Sequence, residues 1–262
     1  SIPEYKRVRM SGSTNHKTAL VLDGGVFEAS GVYGARGAVC KGGSGYVLFS
    51  ADGGTLRINS AVIPDASASC AFQYLDRAEF GAKPDDCVVV IVSRLVRHKG
   101  HPELLRAMEA TPENCVLWIV GERLATDHGE DLEPHFARAA ELLGRRVVRL
   151  GYRHDVGRIL AASDVFCLPS HFEGLPMSVI EAMMTALPVV ATDTRGPREQ
   201  VVEGGTGYLV PPMAVAPLAA ALSRLAADPA LRARLGEAGR ARALDRFDER
   251  KVIGRTLDLL GL

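Results

Sequence analysis

The stretch CVVVIVSRLVRHKGHPELLRAMEATPENCVLWIVG, residues 87–121, carries the pattern that decides the fold. A continuous, largely β-branched run (87–95) leads through a basic loop into a segment with helical spacing (101–110), and a second apolar run follows (115–121). Strands that are apolar on both faces and alternate with amphipathic helices are typical of a parallel sheet covered on both sides. The stretch therefore predicts a strand, a helix and a second strand parallel to the first.

The same alternation continues downstream until the run GTGYLVPP (205–212) closes the series. Further strands are predicted over 146–152, 164–170 and 188–194, and further helices over 130–144, 155–163, 175–186 and 196–204. We therefore predict an α/β fold in which residues 85–247 form a doubly wound, Rossmann-like domain around a parallel sheet. Ligands of such sheets lie beyond the carboxyl ends of the strands, so the loops after the strands are the candidate binding segments.

The region before this domain is less regular. Residues 1–84 are rich in Gly and Ser, although the runs at 18–22 and 45–50 are strand-like. The Asp-Gly-Gly sequence at 52–54 favours a hairpin turn between two strands. We predict a short, incomplete N-terminal domain here.

The region after the last strand is rich in Ala, Arg and Leu and is predicted to be helical over 213–247. Within it, DPALRARLGEAGRARA (228–243) is interpreted as two short helices on the surface. Residues 248–262 have the pattern of a last amphipathic helix.

Composition excludes several classes of protein. The chain has 262 residues with 31 Lys and Arg and 31 Asp and Glu, so its formal net charge is zero. A nucleic-acid binder needs a basic surplus to meet phosphates, so no nucleic-acid partner is expected. The chain contains no run of about 18 apolar residues, so no transmembrane helix is predicted.

The cysteine pattern indicates a reducing compartment. The five cysteines are odd in number, form no CxxC pair and mostly adjoin apolar strand-like runs, which favours buried reduced thiols in a cytoplasmic protein. They are Cys40, Cys70, Cys87, Cys115 and Cys167. No His/Cys cluster has metal-ligand spacing, so no metal site is predicted.

The loop after the first regular strand, SRLVRHKG, places Arg94 and Lys99 beside a helix that starts near Gly100. An Arg that binds two oxygens, a Lys that supplies a point charge and a helix N-terminus together make a clamp for a diphosphate. The alternative is two solvated loop cations. The loop is not a glycine-rich dinucleotide-binding turn, which counts against a dehydrogenase.

The loop after the fourth strand reads HFEGLPMSVIEAM and holds two glutamates eight positions apart. Glu173 sits where the strand meets a helix N-terminus and could cap the helix or accept hydrogen bonds from sugar hydroxyls. Glu181 lies within the helix, where its carboxylate could bind a ribose, remain solvated or pair with an arginine. The backbone amides of Gly174, Leu175 and Met177 face outward at the helix start and could hold phosphate oxygens.

Three more residues are candidates for ligand contact. Tyr152 follows the third strand and could stack on a base or pack on the rim of the sheet. The backbone up to Arg153 could offer groups to a base edge. His171 precedes the glutamate pair and could contact a ligand or be an ordinary loop residue.

Taken together, SRLVRHKG, IVGER, LGYRHDVGRILAASDVFCLPS and HFEGLPMSVIEAMMTALPVVATDTRGPREQVVEGGTGYLVPP resemble the donor-binding half of family 4 glycosyltransferases, which are retaining enzymes of the GT-B fold. The resemblance covers about residues 85–262. It implies that Arg94 and Lys99 bind the diphosphate of a nucleotide sugar, that Glu173 contacts the transferred sugar, and that Glu181 binds the ribose. Members normally need no cofactor or bound metal, because cations and helix termini neutralise the leaving group.

The resemblance also sets the expected partners and the alternatives. The function it implies is transfer of a sugar, with retention of configuration, from a nucleotide-diphospho-sugar to an unknown glycan, lipid or small-molecule acceptor. Residues 1–84 are roughly half of a full acceptor domain. The alternative is therefore a non-catalytic or partner-dependent donor-binding unit, with a partner chain supplying the acceptor side; a nucleotide-sugar epimerase is a weaker one. The helix at 248–262 would cross back to the N-terminal region, and the protein would be cytoplasmic or peripheral to the inner face of the membrane.

Overall fold

The computed structural model describes residues 77–83 and 85–260, together with the backbone of four strands nearer the N-terminus. Those strands form two antiparallel pairs, β1 (Lys17–Leu22) with β2 (Gly25–Ser30) and β3 (Val47–Asp52) with β4 (Thr55–Ser60). The predicted hairpin around 52–54 is confirmed, because β3 and β4 pair in antiparallel register from Asp52 with Thr55 outward. The rest of the predicted N-terminal domain lies outside the described residues.

Six further strands in the described chain form one parallel sheet, with the order β10-β9-β8-β5-β6-β7. They are β5 (Cys87–Val92), β6 (Cys115–Val120), β7 (Val147–Gly151), β8 (Val165–Leu168), β9 (Val189–Thr192) and β10 (Gly207–Val210). Every neighbouring pair runs parallel. The predicted doubly wound α/β sheet is therefore confirmed.

Helices follow the strands, and each described helix except the last buries residues within the domain. They are α1 (His101–Glu109), α2 (Glu133–Leu143), α3 (Val156–Ala161), α4 (Met177–Met184), α5 (Arg195–Gln200), α6 (Val215–Ala227), α7 (Pro229–Arg246) and α8 (Glu249–Leu260). Two of them begin later than predicted, where proline marks the start of the helix. Pro134 lies in the first turn of α2, and Pro176 is the residue that precedes α4.

The prediction of two short surface helices over 228–243 is wrong, because α7 is one continuous helix with a buried face. The two glycines within it, Gly236 and Gly239, are both buried. A Cβ on Gly236 would lie 1.9 Å from the carbonyl oxygen of Ala186. This glycine therefore permits close packing of α7 against the α4–β9 turn instead of ending the helix.

The core lies on both faces of the central strands. All six residues of β6 and all four residues of both β8 and β9 are buried. Trp118 is fully buried and donates a hydrogen bond from Nε1 to the carbonyl oxygen of Phe80 at 3.2 Å. Cys87, Cys115 and Cys167 are buried free thiols, as predicted for the cysteines in this part of the chain.

The strand order creates a crevice at the carboxyl edge of the sheet. The chain moves outward from β5 to β6 and β7, then returns to the other side of β5 to place β8. The loops after β5 and β8 therefore diverge from neighbouring strands, which is the topological switch point where α/β sheets bind ligands. Gly100 in the first loop has φ of 77°, and a Cβ there would lie 2.0 Å from the carbonyl oxygen of Pro169 in the second. The two loops thus meet in direct backbone contact.

Candidate functional site

Lys99 and Glu173 meet across the crevice although they lie 74 positions apart in the sequence. Lys99 Nζ donates to Glu173 Oε1 at 2.6 Å, and Ser170 donates its hydroxyl proton to the same oxygen at 2.7 Å. The side chains of Lys99 and Glu173 are 17% and 10% exposed. An ammonium and a carboxylate are thus held at the mouth of the crevice, partly shielded from water, where charge interactions are stronger than in bulk solvent.

The backbone beneath this pair holds the two loops together. The amide of His171 donates to the carbonyl oxygen of His98 at 2.8 Å. The ring of His98 stacks on Phe172 with centroids 4.8 Å apart and an interplanar angle of 16°. The loops are therefore joined by main-chain and aromatic contacts as well as by the ion pair.

Arg94 lies near the start of the same β5–α1 loop and faces a different carboxylate. Its Nη1 donates to Asp127 Oδ1, while Asp127 Oδ2 accepts the amide of Leu124 at 2.9 Å. The Asp127 side chain is 5% exposed and the Arg94 side chain is 49% exposed. Asp127 therefore fixes one side of the guanidinium and leaves the other side turned to solvent.

The start of α4 lies beside the ion pair and has open hydrogen-bond donors. Within the described residues, no hydrogen bond occupies the backbone amides of Gly174 and Leu175, and Met177 is the first residue of α4. Gly196 of α5 packs against this turn so closely that a Cβ would lie 2.1 Å from the carbonyl oxygen of Gly174. The turn is thereby held with its amides available to an anion at a helix N-terminus.

Glu181 lies in the second turn of α4 and is exposed. Its side chain has no ion-pair or hydrogen-bond partner within the described residues, so pairing with an arginine, one of the alternatives from the sequence, is not observed. The carboxylate is thus available to a ligand that reaches over α4.

The loop after β7 holds the two candidate base contacts, an exposed Tyr152 and an Arg153 that is paired with an aspartate. Tyr152 is 60% exposed, with its ring edge-on to His154 at a centroid distance of 5.0 Å. Arg153 donates from Nε and Nη2 to both oxygens of Asp155, each at 2.8 Å. These hydrogen bonds raise the pKa of Arg153 and hold the pKa of the Asp155 carboxyl below its ordinary value. The guanidinium is therefore already engaged, while the Tyr152 ring is free to stack.

A cavity of about 240 Å³ opens beyond the carboxyl ends of β6 and β7. The residues that line it include Gly121, Gly151, Phe136 of α2, Arg123 and Arg149. Arg149 is itself held by Glu133 through two hydrogen bonds of 2.8 Å. The Arg149 guanidinium also lies over the Phe136 ring, 4.5 Å from its centroid, so the cavity combines glycine backbone with charged and aromatic side chains.

Sequence reasoning missed several residues that shape the site, because they gain their roles only through tertiary contact. They are His101, Glu103, Asp127, Phe136 and Ser170. His101 directly follows Gly100 and is fully enclosed beneath the β5–α1 loop. Its Nε2 lies 3.0 Å from the carbonyl oxygen of Arg94 and 3.1 Å from Ser93 Oγ. Its position immediately after a helix-starting glycine was the one available signal in the sequence.

Burial lowers the pKa of His101 to about 4. Because the folded pKa is below that of the unfolded chain, the fold is fully stable with a neutral imidazole above about pH 6.5 and loses stability as the pH falls toward 4. We expect the wild-type free energy of unfolding to drop by about 3 kcal/mol over that window from this residue. Urea denaturation at pH 7.5 and pH 4.5 should show this drop and should show it reduced in His101→Gln; an equal drop in both proteins would contradict the assignment.

The sequence pattern of the glycosyl transferases group 1 family matches residues 73–242. The chain belongs to that family. The match includes both loops of the crevice, the start of α4 and the loop after β7, so the residues described above lie within the matched region.

Curated relatives and a solved structure agree with this family. The chain is 30% identical over 187 residues to a lipopolysaccharide core biosynthesis glycosyltransferase, LpsE, of Rhizobium meliloti, covering 71% of this chain and 53% of the relative. It is 35% identical over 193 residues to an alpha-maltose-1-phosphate synthase of Mycobacterium tuberculosis, covering 70% and 49%. The crystal structure of HepE from Anabaena in complex with UDP superposes with a TM-score of 0.65 at 29% identity, covering 71% and 51%.

This group 1 glycosyl transferase chain spans about half the length of the curated relatives it matches. Its helices within the described residues include none that is long and apolar enough to cross a membrane. In the same part of the chain, no group of three or more His, Cys, Asp or Glu side chains is placed to hold a metal ion.

Proposed function

We propose that this group 1 glycosyl transferase transfers a sugar from a nucleotide-diphospho-sugar to an acceptor hydroxyl with retention of anomeric configuration. The observation that carries the proposal is the pairing of Lys99 with Glu173 at the switch point, beside the open amides of Gly174 and Leu175. This arrangement offers a cation and backbone donors to a diphosphate and a carboxylate to the adjoining sugar.

The diphosphate is the group that the site suits best. The half-exposed guanidinium of Arg94 can bind two oxygens, Lys99 adds a point charge, and the start of α4 adds backbone donors. These groups would bind the leaving diphosphate more strongly as its negative charge develops in the transition state. No metal ion is required by this scheme, because the protein's own cations and amides provide the charge.

The sugar and the ribose would contact the two glutamates. Glu173 adjoins the amides that receive the phosphate, so its carboxylate is placed to accept hydrogen bonds from hydroxyls of the transferred sugar. Glu181 is unpartnered and exposed on α4, where it could accept both ribose hydroxyls. The base would enter the cavity lined by Gly151, and the exposed ring of the next residue, Tyr152, would stack on it.

The proposed transfer occurs on one face of the sugar. The bond between the anomeric carbon and the diphosphate oxygen breaks, and the acceptor hydroxyl forms its new bond from the same face. The hydroxyl proton passes to the departing phosphate oxygen, whose charge Lys99 and Arg94 share. Attack from the side of the leaving group keeps the anomeric configuration.

A second candidate function uses the same donor site without transfer by this chain alone. The described site residues lie in the loops of the six-stranded sheet, so the chain would act as a donor-binding unit whose acceptor side comes from a partner chain. Donor binding would then occur in the isolated protein, while transfer would require the partner.

Donor binding is the first property to test. We expect calorimetric titration with UDP-, GDP- and ADP-sugars to show binding of one base, and Glu181→Ala to weaken that binding about 10- to 100-fold through the lost charged hydrogen bonds. The matched control is Glu141→Ala, which removes an exposed glutamate near the end of α2 and should leave affinity unchanged.

The outcomes separate the two functions. Donor binding together with sugar release or transfer by the purified chain supports the enzyme. Binding without turnover supports the partner-dependent unit. Absence of binding to every nucleotide sugar would contradict both.

A further inference from the structure

The crevice contains an ionic cluster that the proposed chemistry does not use. Arg97 donates from Nη2 and Nη1 to the two oxygens of Glu103 at 2.7 and 2.8 Å. Its Nη1 also lies 3.1 Å from His171 Nε2, and that nitrogen is 3.4 Å from Glu103 Oε2. Arg97 and Glu103 belong to the first loop and α1, whereas His171 belongs to the second loop. The cluster therefore spans the crevice, and in each loop its residue lies two positions before the member of the Lys99–Glu173 pair.

The charged side chains in this cluster form ion pairs with one another. The Glu103 side chain is 9% exposed; burial acts to raise the pKa of Glu103, but hydrogen bonds from Arg97 and His171 hold it below its ordinary value. The hydrogen bond to Glu103 raises the pKa of Arg97, which also lies 3.2 Å from Glu130. Arg97 is thus neutralised by carboxylates and differs from Arg94, which keeps a free side.

We propose that Glu103 is a positioning residue, which aligns the two crevice loops through Arg97 and His171 and so sets the spacing of Lys99 and Glu173. Glu103 is suited to this because it lies in the first turn of α1, a helix packed into the core. It can anchor both loops to the rigid part of the domain. The effect of this Lys99–Glu173 spacing on nucleotide-sugar binding rests on the proposed function. The alignment of the two loops can be measured without any ligand.

The alignment is tested by hydrogen exchange in the unliganded protein. We expect Glu103→Gln to accelerate exchange at least about threefold in peptides covering 169–176, a segment that does not contain the substitution. The amide of His171 is the direct reporter, because it donates to His98 across the crevice. A purely local role for Glu103 would accelerate exchange only within α1.

The control substitution is Glu109→Gln on the same helix. Glu109 also accepts two hydrogen bonds from an arginine, Arg138, but that pair joins α1 to α2 away from the crevice. The Glu109→Gln substitution should leave the rate of hydrogen exchange over 169–176 unchanged. If Glu103→Gln does not fold, Arg97→Gln removes the same pairing from a more exposed side chain and should give the same pattern. Unchanged exchange over 169–176 in the folded variant would overturn the proposal.

A second measurement links the alignment to binding. With the nucleoside diphosphate that the wild-type protein binds, Glu103→Gln and His171→Gln should each weaken affinity about tenfold, and the double variant should lose little more than either single one. Fully additive losses would mean that the residues act separately and would count against the proposal. If the wild-type chain binds no nucleotide, the proposed function fails, and the exchange result still decides the role of Glu103.

Discussion

Replacing Lys99 with methionine is expected to weaken nucleoside diphosphate binding by about 100-fold or more. Methionine keeps a similar length but removes the charge. The loss should exceed that of one contact, because among the described residues Glu173 would then keep only the hydroxyl of Ser170 as a hydrogen-bond partner. An unpaired carboxylate with little exposure would repel the incoming diphosphate. Calorimetric titration with the diphosphate of the preferred base measures the effect.

A second substitution tests the cause of that loss. In the Lys99→Met background, Glu173→Gln removes the unpaired negative charge and should restore about tenfold of the lost affinity. The matched control is Lys83→Met, an exposed lysine ahead of β5 at the opposite edge of the sheet, which should bind normally. Near-native affinity of Lys99→Met would show that the diphosphate binds elsewhere.

The sheet could be predicted from the sequence because its signal is local. Each strand is a short apolar run, each run is followed by a segment of helical spacing, and parallel pairing then follows from the alternation. The length of α7 could not be predicted in this way. A glycine such as Gly236 can end a helix or allow a close backbone approach, here that of the carbonyl oxygen of Ala186. The sequence is the same in both cases, and only the packed structure distinguishes them.

The site was predictable as a set of loops but not as a set of contacts. The rule that ligands lie beyond the carboxyl ends of strands selected the loops that hold Arg94, Lys99 and Glu173. The pairing of Lys99 with Glu173 and of Arg94 with Asp127 joins residues 74 and 33 positions apart. No periodicity encodes such pairs, because they depend on the order of strands in the sheet. The burial of a polar residue such as His101 likewise cannot be predicted from the alternation of polar and apolar residues.

Gly100→Ala is expected to lower the free energy of unfolding by about 3 kcal/mol and to abolish measurable nucleotide binding. Gly100 has φ of 77°, which is unfavourable for a residue with a Cβ, and the added atom would lie 2.0 Å from the carbonyl oxygen of Pro169. Urea denaturation and calorimetry measure the two effects. Gly157→Ala is the control, since Gly157 lies in α3 with nothing within 4 Å of a new Cβ and should be neutral or slightly stabilised.

The two losses should occur together for a physical reason. The atom that the new methyl group meets belongs to the backbone, so it cannot rotate away as a side chain would. The overlap can be relieved only if the β5–α1 loop moves away from the β8–α4 loop, which separates Lys99 from Glu173 and weakens the hydrogen bond between His171 and His98. Lys99→Met, by contrast, removes a charge without requiring the backbone to move. A Gly100→Ala protein with lower stability but normal affinity would therefore show that the spacing of the two loops does not control binding.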